Sequence, residues 1–165
     1  MTATVYLSLG SNLGDRVANL RNAIAAVPAA GLRILKVSSF YETQPVDYLE
    51  QAWFGNCAVQ AETELAPLDL LHRLRGIETK MGSKKLVPKG PRLIDLDILL
   101  YGDQFVDTPE LQLPHPRMHL RRFVLVPLNE IAPDVHHPRL HRPISELLRE
   151  CPDTSEVRLL ELSSG

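Results

Sequence analysis

Aromatic residues make up only 5% of the 165-residue sequence, cysteine occurs twice, and 20 acidic side chains nearly balance 18 basic ones. Each shortage excludes a class. Cys57 and Cys151 lie far apart, which leaves no disulfide framework and no Cys pair spaced to ligate zinc. A formal net charge of -2 supplies no global basic field, so nucleic-acid binding is not expected and any anion must be met by local clusters of Lys and Arg. No apolar run approaches the roughly 20 residues of a membrane-spanning helix. The start MTATVYLSLGSN has neither the basic nor the apolar region of a signal peptide. HExxH, GxxxxGK[ST] and GxGxxG are absent. The expectation is one domain over residues 1–165, placed in a reducing cytoplasm and large enough to bury about two-thirds of its unfolded surface.

Period-two alternation over Thr4 to Gly10 predicts an opening strand. Asp15 is placed to cap a helix with Val17, Leu20, Ile24 and Val27 on one stripe, stopped by Pro28 and Gly31. Leu32 to Tyr41 and Asn56 to Thr63 alternate again. Pro67 opens a second helix with Leu68, Leu71, Leu74, Ile77 and Met81 on one face and Gly82 as a left-handed cap. Gly76 inside it costs about 1 kcal/mol relative to Ala and is read as a point of close packing. Leu93 to Tyr101 predicts a central strand with Ile94, Leu96, Ile98 and Leu100 on one face, turning through Tyr101 to Gln104 into a short partner at Phe105 to Asp107. The order strand, helix, strand, strand, helix, strand is that of the α+β, ferredoxin-like β-α-β-β-α-β sandwich with a largely antiparallel sheet. C-terminal extensions follow: helices at Arg122 to Ile131 and Ile144 to Cys151, and a strand at Val157 to Leu162. No internal repeat is read.

Asp95 and Asp97 sit two apart in a strand, so their carboxylates leave one face together. Asp is depleted in strands, and like charges repel unless a cation lies between them. Two readings stand here: a solvated strand face, or a magnesium site completed by water and phosphate oxygens. Thr79 to Ile94 contains no acid but holds Lys80, Lys84, Lys85, Lys89 and Arg92, which reads either as a solvated charge run or, beside the acid pair, as a basic loop of the kind that clamps a polyphosphate. Leu111 to Asn129, also free of acids, holds His115, Arg117, His119, Arg121 and Arg122. Most of the late histidines are read as surface groups. Gly10 to Gly14 is read as a tight strand-to-helix connection. Trp53, Phe54, Asn56 and Phe123 are able to stack on and hydrogen-bond a flat heterocycle, and such residues also serve as plain core.

Four segments, YLSLGSNLGDR at 6 to 16, VSSFYETQPV at 37 to 46, GPRLIDLDILLYGD at 90 to 103 and LPHPRMHLRRFVLVPLNEIAP at 113 to 133, strongly resemble the 6-hydroxymethyl-7,8-dihydropterin pyrophosphokinase family, HPPK. The resemblance implies an enzyme of folate biosynthesis that moves pyrophosphate from ATP to the pterin's hydroxymethyl group and releases AMP. It implies that Asp95 and Asp97 hold two magnesium ions and, with Arg92 and Arg121, form the catalytic set. Glu78, Lys85, Arg92, Ile98, His115 and Arg121 are implied to bind ATP. Thr43, Gln44, Val46, Phe54, Asn56, Asp95 and Phe123 are implied to bind the pterin. Partners are then small-molecule substrates, with no nucleic acid, no membrane and a monomeric chain. The chain departs from many members at Ser83 and Lys89, and Pro116 follows His115 where some place an aromatic. Two rival readings are an RNA- or ligand-binding module on the same framework, which would interleave aromatics on the sheet, and a metal-dependent phosphohydrolase.

Overall fold

The computed structural model describes residues 2–44, 53–82 and 93–161. β1 (Ala3–Ser11) leads into α1 (Arg16–Ala26), whose first turn is capped by the Asp15 carboxylate accepting from Ala18 N–H at 3.1 Å. A 3-10 turn at Pro28–Ala30 and Gly31, at φ 98°, stop that helix where the sequence predicts. β2 (Leu32–Val37), β3 (Phe40–Thr43), β4 (Phe54–Thr63), α2 (Pro67–Lys80) and β5 (Asp95–Tyr101) follow, and Gly82 takes the left-handed position after α2 at φ 86°. Then come β6 (Val106–Asp107), β7 (Gln112–Leu113), a 3-10 turn at Met118–Leu120, α3 (Arg122–Ile131), α4 (Ile144–Arg149) and β8 (Val157–Glu161).

The main sheet runs β5-β1-β4-β3-β8, with β2 also paired to β4, and every pairing is antiparallel. Helices cover both faces. Val5, Leu7, Leu9, Val59 and Ile98 pack with Leu20 and Ala23 of α1 and Leu70, Leu74 and Ile77 of α2. Tyr6, Ala58, Leu99 and Leu100 pack on the other face with Val124, Leu125 and Leu128 of α3 and Ile144 and Leu147 of α4. The predicted α+β order therefore holds, and the C-terminal helices add a third layer. Among the described residues no helix is long and apolar enough to cross a membrane.

Four local expectations are corrected. The strand predicted over Leu32 to Tyr41 is broken at Ser38 and Ser39. The Ser38 N–H still donates to Ala58 O at 2.9 Å, but Ser38 Oγ takes the Ala58 N–H at 2.8 Å, and Glu130 of α3 accepts from the Ser39 N–H at 2.9 Å and its hydroxyl at 3.1 Å, so side chains replace part of the ladder there. Leu100 does not share a face with Leu96 and Ile98. A bulge between Tyr6 and Leu7 of β1 leaves Leu99 as an extra residue and turns Leu100 toward α3. The segment after Gly102 pairs β6 with β7 rather than with β5, because Thr108 and Leu111 close that hairpin through bonds of 2.9 and 3.0 Å. Gly76 is no point of close packing, since a Cβ there would meet nothing within 4 Å.

The histidines divide as well. His137 is buried, and its Nδ1 accepts the N–H groups of Arg139 and Leu140, each at 3.2 Å. Contrary to the expectation of no internal repeat, His115-Pro116-Arg117-Met118-His119 and His137-Pro138-Arg139-Leu140-His141 share one short pattern. Both first histidines turn Nδ1 back to the N–H of the arginine two residues on. Burial first, then the charges of His119, Arg139 and His141, push the His137 pKa down to about 4. Above the ordinary value of 6.5 His137 is neutral whether folded or unfolded; below it the unfolded chain binds the proton first. Stability is therefore expected to fall as pH drops from 6.5 toward 4 more steeply in the native chain than in His137→Asn, whose amide oxygen keeps the acceptor. Thermal unfolding midpoints across that range, with equal slopes for both proteins, would reject this assignment.

Candidate active site

Strand register builds the site. Gly10 of β1 lies opposite Asn56 of β4 on one side and Asp95 of β5 on the other, and Tyr41 of β3 extends that row beyond Asn56. Two residues back along β1, Ser8 lies between Ala58 and Asp97. Alternation sends Ala58 into the α3 layer, and the acids, Asn56 and Phe54 share that face, while Leu96 and Ile98 go to the opposite core. The gap between Asp95 and Asn56 is tight at Gly10. A Cβ on Gly10 would stand 3.1 Å from Asn56 Nδ2 and 3.6 Å from a Phe54 ring carbon. Asn56 and Thr43 are both buried, and the Thr43 hydroxyl donates to Asn56 Oδ1 at 2.7 Å, which fixes the amide with Nδ2 on the Gly10 side.

β5 is a sheet border, and α2 holds it by charge. Glu78 is buried; its Oε2 accepts the Leu96 N–H at 2.7 Å and an Arg75 N–H at 2.9 Å. Arg75 Nη1 also donates to Leu96 O at 2.7 Å, and its Nη2 lies 3.7 Å from Asp97 Oδ1. Arg75 thus offsets part of the repulsion between the two acids. The sequence reading missed it, though its position three residues before Glu78 on one helix face was the available signal.

His115 is strapped to the same border by its N–H donating to Leu99 O at 2.9 Å. Burial lowers its pKa, Asp97 draws it back up, and Arg121 and Arg117 push it down again, so His115 sits in the field between acid and guanidinium. A cleft of about 340 Å³ opens beside it, lined also by His119, His137 and Arg139. Arg121 precedes α3 and lies over the Phe123 ring, 5.7 Å from its centroid. The first helical N–H, that of Arg122, is taken by Asp153 Oδ2 at 3.0 Å. Burial raises the Asp153 pKa, but bonds from Ser155 and Arg122 outweigh it and hold the carboxyl below its ordinary value.

The structure thus gathers Asp95, Asp97, Asn56, Thr43, Phe54, Phe123, Arg121 and His115 at one end of the α3 face. Ile98 and Glu78 lie on the other side of β5, so a ligand touching both sets must wrap the sheet border. Gln44 is exposed, and its N–H donates to Glu156 O at 3.2 Å. Val46, Lys85 and Arg92, like most of the basic loop, lie outside the described residues. Among the described residues no group of three or more His, Cys, Asp or Glu is gathered to hold a metal.

A family model described as 7,8-dihydro-6-hydroxymethylpterin-pyrophosphokinase (HPPK) matches residues 6–133. The chain belongs to the HPPK family. A 2-amino-4-hydroxy-6-hydroxymethyldihydropteridine pyrophosphokinase of Bacillus subtilis is 47% identical over 136 residues, covering 82% of this chain and 81% of that one. A folic acid synthesis protein of Schizosaccharomyces pombe, fol1, is 42% identical over 148 residues, covering 89% of this chain, which spans only 20% of the length of that relative. The crystal structure of Plasmodium falciparum HPPK-DHPS with pteroate matches 91% of this chain and 42% of that one at a TM-score of 0.74 and 18% identity, a likeness of fold. All the HPPK-type residues named above fall inside the matched span, whereas Asp153 lies beyond it.

Within this HPPK site Glu78→Ala would orphan the buried Leu96 N–H and remove one of the three groups that hold Arg75, at an expected loss of about 2 kcal/mol of stability. Urea unfolding measures it, and a midpoint equal to the native one would show that the α2–β5 link contributes nothing.

Proposed function

We propose that this chain transfers the pyrophosphoryl group of ATP to the hydroxymethyl oxygen of 6-hydroxymethyl-7,8-dihydropterin and releases AMP. The alcohol oxygen attacks the β-phosphorus, the bond from that phosphorus to the α–β bridging oxygen breaks, AMP leaves with the bridging oxygen, and the alcohol proton passes to solvent. One observation carries the reading. The register across β5, β1 and β4 sets the Asp95 carboxylate and the fixed Asn56 amide on either side of the Gly10 gap, with Asp97 one pair further along the same face.

Asp95 and Asp97 fit magnesium: two hard oxygen donors on one strand face, with no third acid gathered beside them among the described residues, suit an ion that keeps water and phosphate oxygens as its other ligands. Two such ions held there would neutralise charge on the phosphates and acidify the alcohol. The chain's own side chains position the reactants. Phe54 and Phe123 take the faces of the pterin, Asn56 reads its polar edge with Thr43 holding the amide, and Gln44 and Val46 add backbone contacts. Arg121, with Lys85 and Arg92, meets the triphosphate. His115, Ile98 and Glu78 border the nucleotide. A pterin presents donors and acceptors in fixed order, so a buried Asn56–Thr43 pair penalises analogues that leave it unmatched.

The same reading places the chain in the cytoplasm as a monomeric, single-domain enzyme. Cys57 and Cys151 are free, and burial pushes the Cys57 thiol pKa up, so it stays protonated and inert.

Incubation with ATP, magnesium and the pterin is expected to yield AMP, only in the presence of the pterin. ADP as product, or nucleotide loss without the acceptor, would replace this function by a simple kinase or a hydrolase. Asp95→Asn and Asp97→Asn are each expected to cut turnover by orders of magnitude with an unchanged circular dichroism spectrum. Native turnover in either variant would refute the metal assignment.

A further inference from the structure

Behind the strip of sheet that carries Phe54, Asn56 and Thr43 lies a charged cluster that the reaction does not use. Glu42 of β3 stands between Gly55 of β4 and Arg158 of β8 in the ladder, on the face away from α3. Arg158 Nε donates to Glu42 Oε2 at 2.7 Å, and its guanidinium lies over the Trp53 ring, 4.4 Å from the centroid. Arg16, the first residue of α1, donates to Glu42 Oε1 at 3.2 Å and to the Trp53 carbonyl at 2.8 Å.

The Glu42 side chain is only 17% exposed, and the bond from Arg158 above all, against the pull of burial, holds its pKa below the ordinary value. An isolated exposed ion pair contributes little. Here one carboxylate joins two guanidiniums to an indole, so each contact orders the next. A Cβ on Gly55 would stand 3.2 Å from Arg16 Cβ, which shows how closely the cluster lies on the strand. Trp53 is bonded directly to Phe54, and Glu42 to Thr43. Arg16 therefore holds the peptide that joins Trp53 to Phe54, and the two guanidiniums hold the side chain of Glu42, the residue next to Thr43.

We propose that Arg158 is a positioning residue for the pterin: from the C-terminal strand, beyond the span matched by the family model, it fixes Trp53 and Glu42 and thereby the Phe54 and Thr43 wall of the slot. The inference rests on the slot assigned above, and its test separates the two. Arg158→Ala is expected to weaken binding of 6-hydroxymethylpterin about fivefold by calorimetry, to leave the affinity for a non-hydrolysable ATP analogue with magnesium unchanged, and to shift the emission of Trp53, the one tryptophan of the chain. Glu42→Gln should reproduce the pterin-selective loss, and Arg158→Lys should restore part of it. In a Phe54→Ala background the further change Arg158→Ala should cost less pterin affinity than it does in the native chain, because only the Thr43 part of the wall is left to lose. Unchanged pterin affinity in Arg158→Ala, equal loss of both ligands, or full additivity with Phe54→Ala would overturn the inference while leaving the slot in place. Native pterin affinity in Phe54→Ala would overturn the slot and the inference together.

Discussion

The site depends on one alignment of three strands. Gly10 must fall between Asp95 and Asn56, and because side chains alternate with a period of two, a slip of one residue would send both acids into the core and bring Leu96 into the site. The slip is resisted by the apolar set on the other face, where Leu7, Leu9, Val59 and Leu96 have no exposure. Packing energy thus fixes the chemistry: the residues that place the carboxylates are leucines and valines on the far side of the sheet.

Two like charges on neighbouring positions of a strand oppose folding unless something answers them. The arrangement around Asp97 answers in part with Arg75 at 3.7 Å, whose guanidinium is itself held by Glu78 and Leu96 O. Asp97 keeps 43% of its side chain exposed. One acid is partly satisfied and still open, which suits a ligand that must bind a hydrated cation and release it with product. His115 feels the same acid from the other side, and Arg121 opposes it, so the field changes sign across the end of α3.

Much of this was legible in the sequence because it rests on local rules. The Asp15 cap, the Pro67 start, the Gly82 stop and the shared face of Asp95 and Asp97 each follow from propensity or periodicity over a few residues. What escaped rests on contacts distant in the chain. Ser38 and Ser39 end a strand only because Glu130 of a later helix accepts from Ser39, and Leu100 changes face only because β1 pairs around an extra residue. Arg75, Gly10 and Asp153 escaped for the same reason, since their meaning lies in what stands opposite. A glycine inside an alternating strand was a readable hint of close approach. The basic loop was prominent in the sequence, and most of it lies outside the described residues.

The last strand has one more effect, on how copies of the chain meet. Without β8 the border of β3 would present unpaired amides and carbonyls, a template for joining another sheet. β8 covers that border and puts Arg158 on the new rim, with Glu156 just before it, alternating sign beside the exposed Leu159. Charges on a rim discourage end-to-end joining of sheets, so a strand that braces a ligand wall from behind also protects crowded molecules from coalescing.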